Sequence, residues 1–320
     1  MKSVAVLGAG AWGTAIAAAL SGRLRITLWA RDAAQAKRIE TTRRNERYLP
    51  GFEIPDAVRV TAAIPPEADL ALVATPVAAL RDVVQKVSCP IVWLCKGFEQ
   101  ETGLLPHQII QELTPSLKCA ALSGPSFAVE VARGLPCALV LASRDGAFAQ
   151  ETAALLHGGR MRVYYSTDVV GVEIGGAVKN VMAIAAGICD GLGLGHNARA
   201  ALVTRGLAEI SRLGAALGAS PETLFGLAGA GDLILTATGD LSRNRRVGME
   251  LAAGKKLPDV LAALGHVAEG VYSAKEVVSI ARKKKIEMPV SEAVNAVLEG
   301  SLAPAAAVER LLSRDPKQER

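Results

Sequence analysis

Short apolar runs alternate with helical patterns through the first half of this 320-residue chain. Each run is apolar at successive positions rather than at every second one, which is typical of strands in a parallel sheet covered by helices on both faces. The runs predict strands at 4–8, 25–29, 58–61, 70–74, 91–95 and 120–123, with further strands at 138–141 and 163–165. The first half is therefore predicted to be an α/β domain with a mostly parallel sheet.

The pattern changes after Asp168, where long Ala, Leu and Val periodicities punctuated by glycine replace the strand signals. Such periodicities predict an all-helical second domain. A chain of this length exceeds the usual size of one hydrophobic core, so two domains are expected on size alone. We place the boundary near Ser166, which gives domains at residues 1–166 and 167–320.

Three glycines, Gly8, Gly10 and Gly13, follow the first predicted strand directly and open an apolar helix. At this spacing the first glycine permits a tight turn, the second lets the backbone approach a pyrophosphate, and the third lets the helix pack on its strand. This context favours a dinucleotide site over chance glycines in a turn. A signal peptide over residues 1–20 is the alternative, and the glycines would weaken its helix by about 1 kcal/mol each.

The end of the second predicted strand bears on the choice of dinucleotide. An NAD-specific site usually has an acidic residue there, which binds the ribose 2′-hydroxyl. This chain has Arg31 followed by Asp32. A guanidinium can bind a 2′-phosphate through two hydrogen bonds, so NADPH is favoured, while Asp32 leaves room for NADH. The alternative for Arg31 is an ordinary solvated strand end.

Lys179 and Asn180 stand in an otherwise apolar helical segment that also contains Gly175 and Gly176. The glycines lie one turn before Lys179 on the same face, and their missing side chains are predicted to open space above the ammonium for another molecule. Lys179 could instead extend to solvent or pair in the core. Beside a dinucleotide site, proton transfer is favoured, because reducing a ketone requires a proton for the developing alkoxide.

Two further segments point to an anionic ligand. Residues 226–232 read as a flexible glycine turn that ends in the carboxylate of Asp232. Residues 242–246 read as a helix start with Ser242 as its cap and three arginines. A helix N-terminus with arginine binds phosphate. The alternative is a plain loop and a solvated charged face.

The composition argues against several other classes of function. Aromatic residues make up 4% of the chain, too few for stacking on bases, so nucleic acid is not an expected partner. The net charge of +5 is small for this length and is consistent with an anionic ligand as much as with a basic surface. The five cysteines form no CxxC pair and the four histidines sit far apart, so we expect reduced core thiols and no metal. The sequence has no run of 18 uncharged apolar residues, so we expect no integral membrane segment.

Separated motifs in a fixed order now identify a resemblance. They are GAGAWGTA at 8–15, CKGFE at 95–99, SGPSFAVEVA at 123–132, EIGGAVKNVMAIAAG at 173–187, GAGDL at 229–233 and SRNRRVG at 242–248. In these segments the chain resembles the bacterial NAD(P)-dependent glycerol-3-phosphate dehydrogenases, along nearly its whole length. The resemblance implies an N-terminal Rossmann domain, an α-helical substrate-binding domain and reduction of dihydroxyacetone phosphate to sn-glycerol 3-phosphate.

The resemblance also implies roles for individual residues. Lys179 would be the proton donor and acceptor. Together with the fingerprint, the cofactor contacts would be Gly8, Gly10, Ala11, Trp12, Gly13, Arg31, Lys96, Ala128, Arg243, Val267 and Glu269. The substrate contacts would be Lys96, Gly124, Ser126, Lys179, Asp232, Ser242, Arg243 and Asn244.

Two rival functions remain open from the sequence. A ketopantoate reductase or β-hydroxyacid dehydrogenase also joins a Rossmann domain to helices with a catalytic lysine, but its substrate lacks the phosphate that the Arg243 segment would bind. A non-catalytic NADPH sensor would have no use for Lys179. A homodimer in the cytoplasm, supplying glycerophospholipid synthesis, is the expected setting.

Overall fold

Eight of the ten strands in the part of the chain that the structure describes form a single sheet. The computed structural model describes residues 1–265, 267–315 and 318. The strands are β1 (Ser3–Leu7), β2 (Arg25–Trp29), β3 (Arg44–Asn45), β4 (Leu49–Glu53), β5 (Val58–Thr61), β6 (Leu70–Val73), β7 (Ile91–Trp93), β8 (Cys119–Ser123), β9 (Cys137–Ala142) and β10 (Met161–Ser166). The sheet order is β10-β9-β8-β7-β6-β1-β2-β5, and β3 and β4 form a separate hairpin.

Neighbouring strands of the large sheet run parallel except at the β8–β9 pair, which is antiparallel. The order of β5, β2, β1, β6, β7 and β8 is that of a dinucleotide-binding Rossmann sheet. Chain order reverses between β1 and β6, so a crevice forms at their carboxyl ends, where such sheets bind ligands. The predicted mostly parallel sheet is confirmed.

The central strands β1, β6 and β7 are almost wholly apolar because both of their faces are covered. On β1, Val4 and Val6 belong to one buried cluster, whereas Ala5 and Leu7 belong to another on the opposite face. The helices over these faces are α1 (Ala11–Leu20), α2 (Ala33–Thr42), α3 (Leu80–Val84), α4 (Pro106–Leu113), α5 (Ala128–Ala132) and α6 (Gly146–Leu156). Residues 3–20 thus form the central strand and its helix, as the dinucleotide interpretation requires.

Helices alone make up the described chain after Ser166. They are α7 (Val169–Gly191), α8 (Gly195–Ala216), α9 (Pro221–Phe225), α10 (Asp232–Thr238), α11 (Arg243–Ala252), α12 (Leu257–Leu264), α13 (Glu269–Lys284), α14 (Pro289–Leu298) and α15 (Pro304–Leu312). Among the described residues α7 is long and apolar enough to cross a membrane, but 94% of its most apolar window is buried in the protein. It is the central helix of the second core, and the predicted helical half is confirmed.

Helices α7 and α11 touch backbone to backbone. A Cβ atom added at Gly187 would lie 1.9 Å from the carbonyl oxygen of Arg245, and one at Gly248 would lie 2.1 Å from that of Ile184. No other residue fits at these positions without separating the helices. The contact fixes the N-terminus of α11 relative to the helix that carries Lys179.

Two parts of the fold differ from the sequence expectation. The hairpin of β3 and β4 was not predicted. The glycine segment before Asp232 is not a flexible turn, because Leu227–Gly231 forms a π-helical turn that leads directly into α10. A Cβ atom at Gly229 would lie 1.9 Å from the carbonyl oxygen of Leu224, so close packing explains this glycine.

Candidate active site

The glycine loop after β1 has the geometry that the fingerprint predicts. Gly8 has φ +122°, and a Cβ atom there would lie 2.9 Å from the carbonyl carbon of Ala74 at the end of β6. A Cβ atom at Gly13 would lie 1.9 Å from the carbonyl oxygen of Gly8. Nothing lies within 4 Å of a Cβ built at Gly10. The first and third glycines therefore make the loop tight, and the second leaves its outer side open for a pyrophosphate.

Two amide side chains hold this loop from below. The carbonyl oxygen of Ala9 accepts hydrogen bonds from Gln35 Nε2 at 2.9 Å and from Asn45 Nδ2 at 3.0 Å. Asn45 Nδ2 also lies 2.8 Å from Thr14 Oγ1 on α1. The unpredicted hairpin thus has a function, because β3 brings Asn45 to the loop. No sequence pattern indicates this contact, which joins residues 36 positions apart.

The end of β2 presents one basic and one acidic side chain with different surroundings. Arg31 is exposed, and its guanidinium makes no hydrogen bond or ion pair with any described residue. Asp32 caps α2, since its Oδ1 accepts from the backbone N–H groups of Ala34 at 2.8 Å and Gln35 at 3.3 Å. The Asp32 carboxylate is therefore engaged by the protein, while Arg31 is available to a ligand.

The other predicted cofactor contacts lie on α1, on α5, and at or just before the start of α13. Ala11 opens α1, and Trp12 beside it packs with Ala128 of α5 around a small cluster that includes Val131. Glu269 opens α13 on the opposite side. Val267, two residues before it, is 37% exposed.

One buried carboxylate joins the two predicted lysines. Lys179 Nζ donates to Asp232 Oδ1 at 2.5 Å and to Thr236 Oγ1 at 2.8 Å. Lys96 Nζ donates to Asp232 Oδ2 at 2.6 Å and to the carbonyl oxygen of Gly124 at 3.3 Å. Asp232 is 1% exposed and Lys179 is 6% exposed. Four of the predicted residues thus meet at one point, although they lie as far as 136 positions apart in sequence.

The electrostatics of this cluster favour proton transfer at Lys179. Two ammonium groups share one carboxylate, so one positive charge is left without a partner. Burial lowers the pKa of Lys179 to about 7, with Asp232 opposing the shift and the Lys96 ammonium adding to it. Burial opposes ionisation of Asp232, but the two ammonium groups outweigh it and hold the pKa of this carboxyl below its usual range. A lysine that titrates near neutral pH is suited to act as both acid and base.

Thr236 was missed by the sequence analysis. Its Oγ1 donates to the carbonyl oxygen of Asp232 at 2.6 Å, so it can only accept from Lys179. The i, i+4 spacing of Asp232 and Thr236 on one helix face was the available signal.

Our explanation for the two glycines before Lys179 is wrong. A Cβ atom at Gly175 would lie 2.6 Å from the carbonyl oxygen of Ala228, and one at Gly176 would lie 2.9 Å from Ser123 Oγ. The same Cβ would be 3.4 Å from Lys96 Cδ. The space above these glycines is therefore filled by the protein itself. They let the π-helical turn and Lys96 approach α7 rather than leaving room for a ligand.

The predicted phosphate-binding segment begins α11. Ser242 caps this helix, with its Oγ accepting from the backbone N–H of Arg245 at 3.2 Å, as the sequence predicts. Arg243 is exposed and has no hydrogen bond or ion pair with a described residue. Arg245 differs, because its Nε donates to Asp190 at 2.7 Å and its Nη1 to Asp240 at 3.0 Å. Only the first of these two guanidinium groups is free for an anion.

A chain of amides links α7, α11 and α13 beside Lys179. Asn244 Nδ2 donates to Asn180 Oδ1 at 2.9 Å, and Asn244 Oδ1 accepts from the backbone N–H of Gly270 at 3.1 Å. Asn244 is 8% exposed. Its second N–H remains the group that could reach a substrate. Near the sheet, Ser126 Oγ donates to the carbonyl oxygen of Gly124 at 3.0 Å.

Glu269 lies between the two halves of the chain. A Cβ atom added at Gly97, which has φ +137°, would lie 3.7 Å from Glu269 Oε2. Burial raises the pKa of Glu269 to about 7, and Arg243 opposes the shift. The carboxyl is therefore partly protonated at neutral pH, and it can donate as well as accept a hydrogen bond.

Within the described residues no group of three or more Cys, His, Asp or Glu side chains could hold a metal ion. His266 lies outside the described residues. All five cysteines are free thiols, with Cys189 buried and the other four half-buried.

A sheet of this order, an open glycine loop at its switch point and a buried lysine of lowered pKa define a dinucleotide-dependent dehydrogenase. The family model for the N-terminus of NAD-dependent glycerol-3-phosphate dehydrogenase matches residues 3–149, and the model for its C-terminus matches residues 168–309. The chain belongs to this family.

Individual relatives agree with the family assignment. The chain is 56% identical to a glycerol-3-phosphate dehydrogenase [NAD(P)+] from Dechloromonas aromatica, and the match covers 99% of each chain. It superimposes with a TM-score of 0.94 on a glycerol-3-phosphate dehydrogenase from Coxiella burnetii, at 39% identity over 98% of this chain and 99% of that one. A probable 2-dehydropantoate 2-reductase from Bacillus subtilis shares the fold alone, with a TM-score of 0.57 at 16% identity over 93% of this chain and 99% of that one.

Proposed function

We propose that this protein reduces dihydroxyacetone phosphate to sn-glycerol 3-phosphate with NADPH or NADH, reversibly. The observation that carries the proposal is the buried Lys179, held by Asp232 and Thr236 in the helical half that faces the glycine loop. The test is the loss of NADPH absorbance with dihydroxyacetone phosphate, with 2-dehydropantoate as the competing substrate. Turnover of 2-dehydropantoate alone would favour the ketoacid reductase, and no turnover of either would favour the sensor.

The reaction needs a hydride, which the reduced dinucleotide supplies when it is bound. This chain's residues supply the proton and the charge. Protonated Lys179 donates from Nζ to the carbonyl oxygen as it becomes an alkoxide, and neutral Lys179 takes the proton back in the oxidation. Asp232 and Thr236 fix the direction of Nζ. The Lys96 ammonium provides a second positive charge close to the developing oxyanion.

The substrate phosphate is best accommodated at the start of α11. Helix N-termini present unpaired N–H groups, and the free guanidinium of Arg243 adds a planar pair of donors. We propose further substrate contacts from Lys96, Gly124, Ser126, Asp232, Ser242 and Asn244, and cofactor contacts from Gly8, Gly10, Ala11, Trp12, Gly13, Arg31, Lys96, Ala128, Arg243, Val267 and Glu269. The open side of Gly10 and the free state of Arg31 support the cofactor contacts.

Replacing Arg31 by alanine is expected to weaken the use of NADPH about tenfold more than that of NADH. The reason is that only NADPH has a 2′-phosphate for the guanidinium, and a hydrogen bond to a charged group contributes about 1.5 kcal/mol or more. The measurement is kcat/KM with each cofactor. Arg38→Ala, which removes an exposed arginine of the adjacent helix α2, is the control and should change neither value. Equal losses with both cofactors after Arg31→Ala would remove the basis for an NADPH preference.

The two directions of the reaction should depend on pH with opposite signs. Lys179 is protonated below its pKa of about 7 and neutral above it. Since reduction needs the protonated form, its kcat/KM should fall about tenfold per pH unit above this pKa. The oxidation needs the neutral form, so its kcat/KM should rise up to this pKa and level off above it. Profiles measured from about pH 6.5 to about pH 9 avoid most of the titration of the substrate phosphate near pH 6. If kcat/KM for the oxidation also falls as the pH rises above about 7, or if kcat/KM for the reduction does not fall, the proton donor is a group other than Lys179.

We also propose the setting of the enzyme. The division into a dinucleotide domain at 1–166 and a helical domain at 167–320 is supported by the end of β10 at Ser166 and the start of α7 at Val169. A homodimer is supported by large apolar side chains exposed in the helical half, such as Phe225 and Ile234. A cytoplasmic enzyme whose product feeds glycerophospholipid synthesis fits the cofactor and the substrate.

A further inference from the structure

Lys96 lies in the segment 94–105, which connects β7 to α4 and contains no helix or strand. Contacts with other elements must therefore hold the lysine in place. Lys96 has a long flexible side chain, and such a side chain reaches one geometry only if its backbone is fixed. On one side the backbone is fixed by Gly97, where a Cβ atom would lie 2.9 Å from Ser273 Oγ of α13. A second contact must hold the backbone of the segment on the side away from α13.

Arg81 of α3 binds this other side through Glu99. Its Nε donates to Glu99 Oε1 at 2.6 Å and its Nη2 donates to Glu99 Oε2 at 2.9 Å, a bidentate pair. Nη2 also donates to Glu112 of α4 at 2.8 Å. The side chain of Glu99 is 15% exposed. A guanidinium in this arrangement fixes the carboxylate in position and in orientation, which a single contact does not.

The chain after Glu99 turns back onto it. Thr102 Oγ1 donates to Glu99 Oε2 at 2.6 Å. The backbone N–H of Gly103 donates to the carbonyl oxygen of Glu99 at 2.9 Å. The backbone N–H of Glu99 donates to the carbonyl oxygen of Leu104, also at 2.9 Å. Glu99 is therefore the point at which the whole segment is attached to α3 and α4.

We propose that Arg81 and Glu99 are positioning residues that hold the Lys96 segment so that Lys96 reaches Asp232. This inference rests on the proposed function, in which Lys96 contacts substrate and cofactor. Glu99 is three residues from Lys96, close enough that a shift of its carboxylate moves the backbone of the lysine. Neither Arg81 nor Glu99 makes a hydrogen bond with Lys179, Asp232 or Thr236, so we expect both to act through Lys96.

The position of Lys96 affects a measurable property of Lys179. The Lys96 ammonium contributes to lowering the pKa of Lys179, and it competes for the same carboxylate. If Lys96 moves away, Asp232 pairs with Lys179 alone, and the pKa of Lys179 rises. The pH profile of the reduction therefore reports whether Lys96 is in place, whereas a loss of folding stability alone would not move it.

The experiment compares Arg81→Gln and Glu99→Gln with wild type and with Arg23→Gln. Arg23 also joins distant segments, because it donates to the carbonyl oxygens of Leu156 at 3.0 Å and of His157. It precedes β2, and its partners precede β10, so this contact lies at the amino ends of the strands, away from Lys96. For both Arg81→Gln and Glu99→Gln we expect kcat/KM for dihydroxyacetone phosphate to fall about 10- to 100-fold, the scale of a misplaced catalytic group. The descending limb of the profile should shift to higher pH. Arg81→Lys should restore the activity only in part, since lysine cannot bind both oxygens in the same plane.

The outcomes separate the inference from the proposed function. If wild type does not reduce dihydroxyacetone phosphate, the proposed function is wrong, and the positioning role of Arg81 and Glu99 in that reaction is wrong with it. If wild type is active but Arg81→Gln and Glu99→Gln keep its pH profile and differ from Arg23→Gln only in melting temperature, the pair is structural and the inference is overturned. A double variant that loses no more activity than either single variant supports the inference, because both residues then act as one unit.

Discussion

Replacing Lys179 by alanine is expected to lower kcat by about two to four orders of magnitude, the usual scale for a positioned acid or base. The side chain is buried and bonded to Asp232 and Thr236, so its removal takes away the ammonium that these two residues hold in place. Steady-state reduction of dihydroxyacetone phosphate by NADPH measures the loss. Fluorescence titration with NADPH measures whether the cofactor still binds, which we expect.

A second variant separates chemistry from folding. Lys179→Met keeps most of the side-chain volume within α7 and leaves Asp232 paired with Lys96. It should lose as much turnover as the alanine variant while unfolding at a temperature closer to that of wild type. Should either variant retain more than a third of wild-type turnover, Lys179 would be structural and the proton would come from elsewhere.

Replacing Arg243 by glutamine is expected to raise the KM for dihydroxyacetone phosphate steeply. Removing one side of a charge pair that binding takes out of water typically costs about 2 to 5 kcal/mol, and among the described residues Arg243 has no hydrogen bond or ion pair that would compete with the phosphate. Arg243→Lys should recover only part of the loss, since it lacks the planar pair of donors. NADPH affinity must be measured separately, because the residue is also a proposed cofactor contact.

The control substrate is unphosphorylated dihydroxyacetone. Wild type should reduce it poorly, and Arg243→Gln should reduce it about as poorly, so the variant should discriminate less between the two ketones. Arg245→Gln is the matched variant. Its guanidinium is bound to Asp190 and Asp240, so its loss should lower stability more than it changes this discrimination. Undiminished discrimination by Arg243→Gln would leave Lys96 as the better candidate for reading the phosphate.

The centre of the large sheet was predictable from the sequence because its strands are buried on both faces. The continuous apolar runs at 70–74 and 91–95 contain β6 and β7. The hairpin of β3 and β4 was not predictable in this way, since its residues are mostly exposed and include Pro50 and Gly51. Such short pairs depend on contacts with the rest of the fold, which no local pattern records.

The candidate site was predictable at positions where a residue type is unusual for its local pattern, so that a functional role is the simplest explanation. Lys179 in an apolar helix and Gly8 after a buried strand are of this kind. The glycines beside Lys179 were noticed but misread, because the sequence does not say which segment lies against them. Contacts such as Arg81 with Glu99 and Asn45 with Ala9 depend on how distant segments meet, and ordinary surface residues look the same in sequence.

The glycine contact between α7 and α11 has a consequence for how the cleft can move. Gly187 lies eight residues beyond Lys179, about 12 Å along the helix axis, and it touches the backbone of α11 with no side chain between them. Two helices locked in this way cannot slide without breaking the contact, so the proton donor and the proposed phosphate-binding helix start travel together. Any opening of the cleft would then take place at connections outside this pair, such as residues 167–168 between β10 and α7. A substrate bound as we propose, with its phosphate at α11 and its carbonyl at Lys179, would keep its reactive carbon at a constant distance from Lys179 during such a motion.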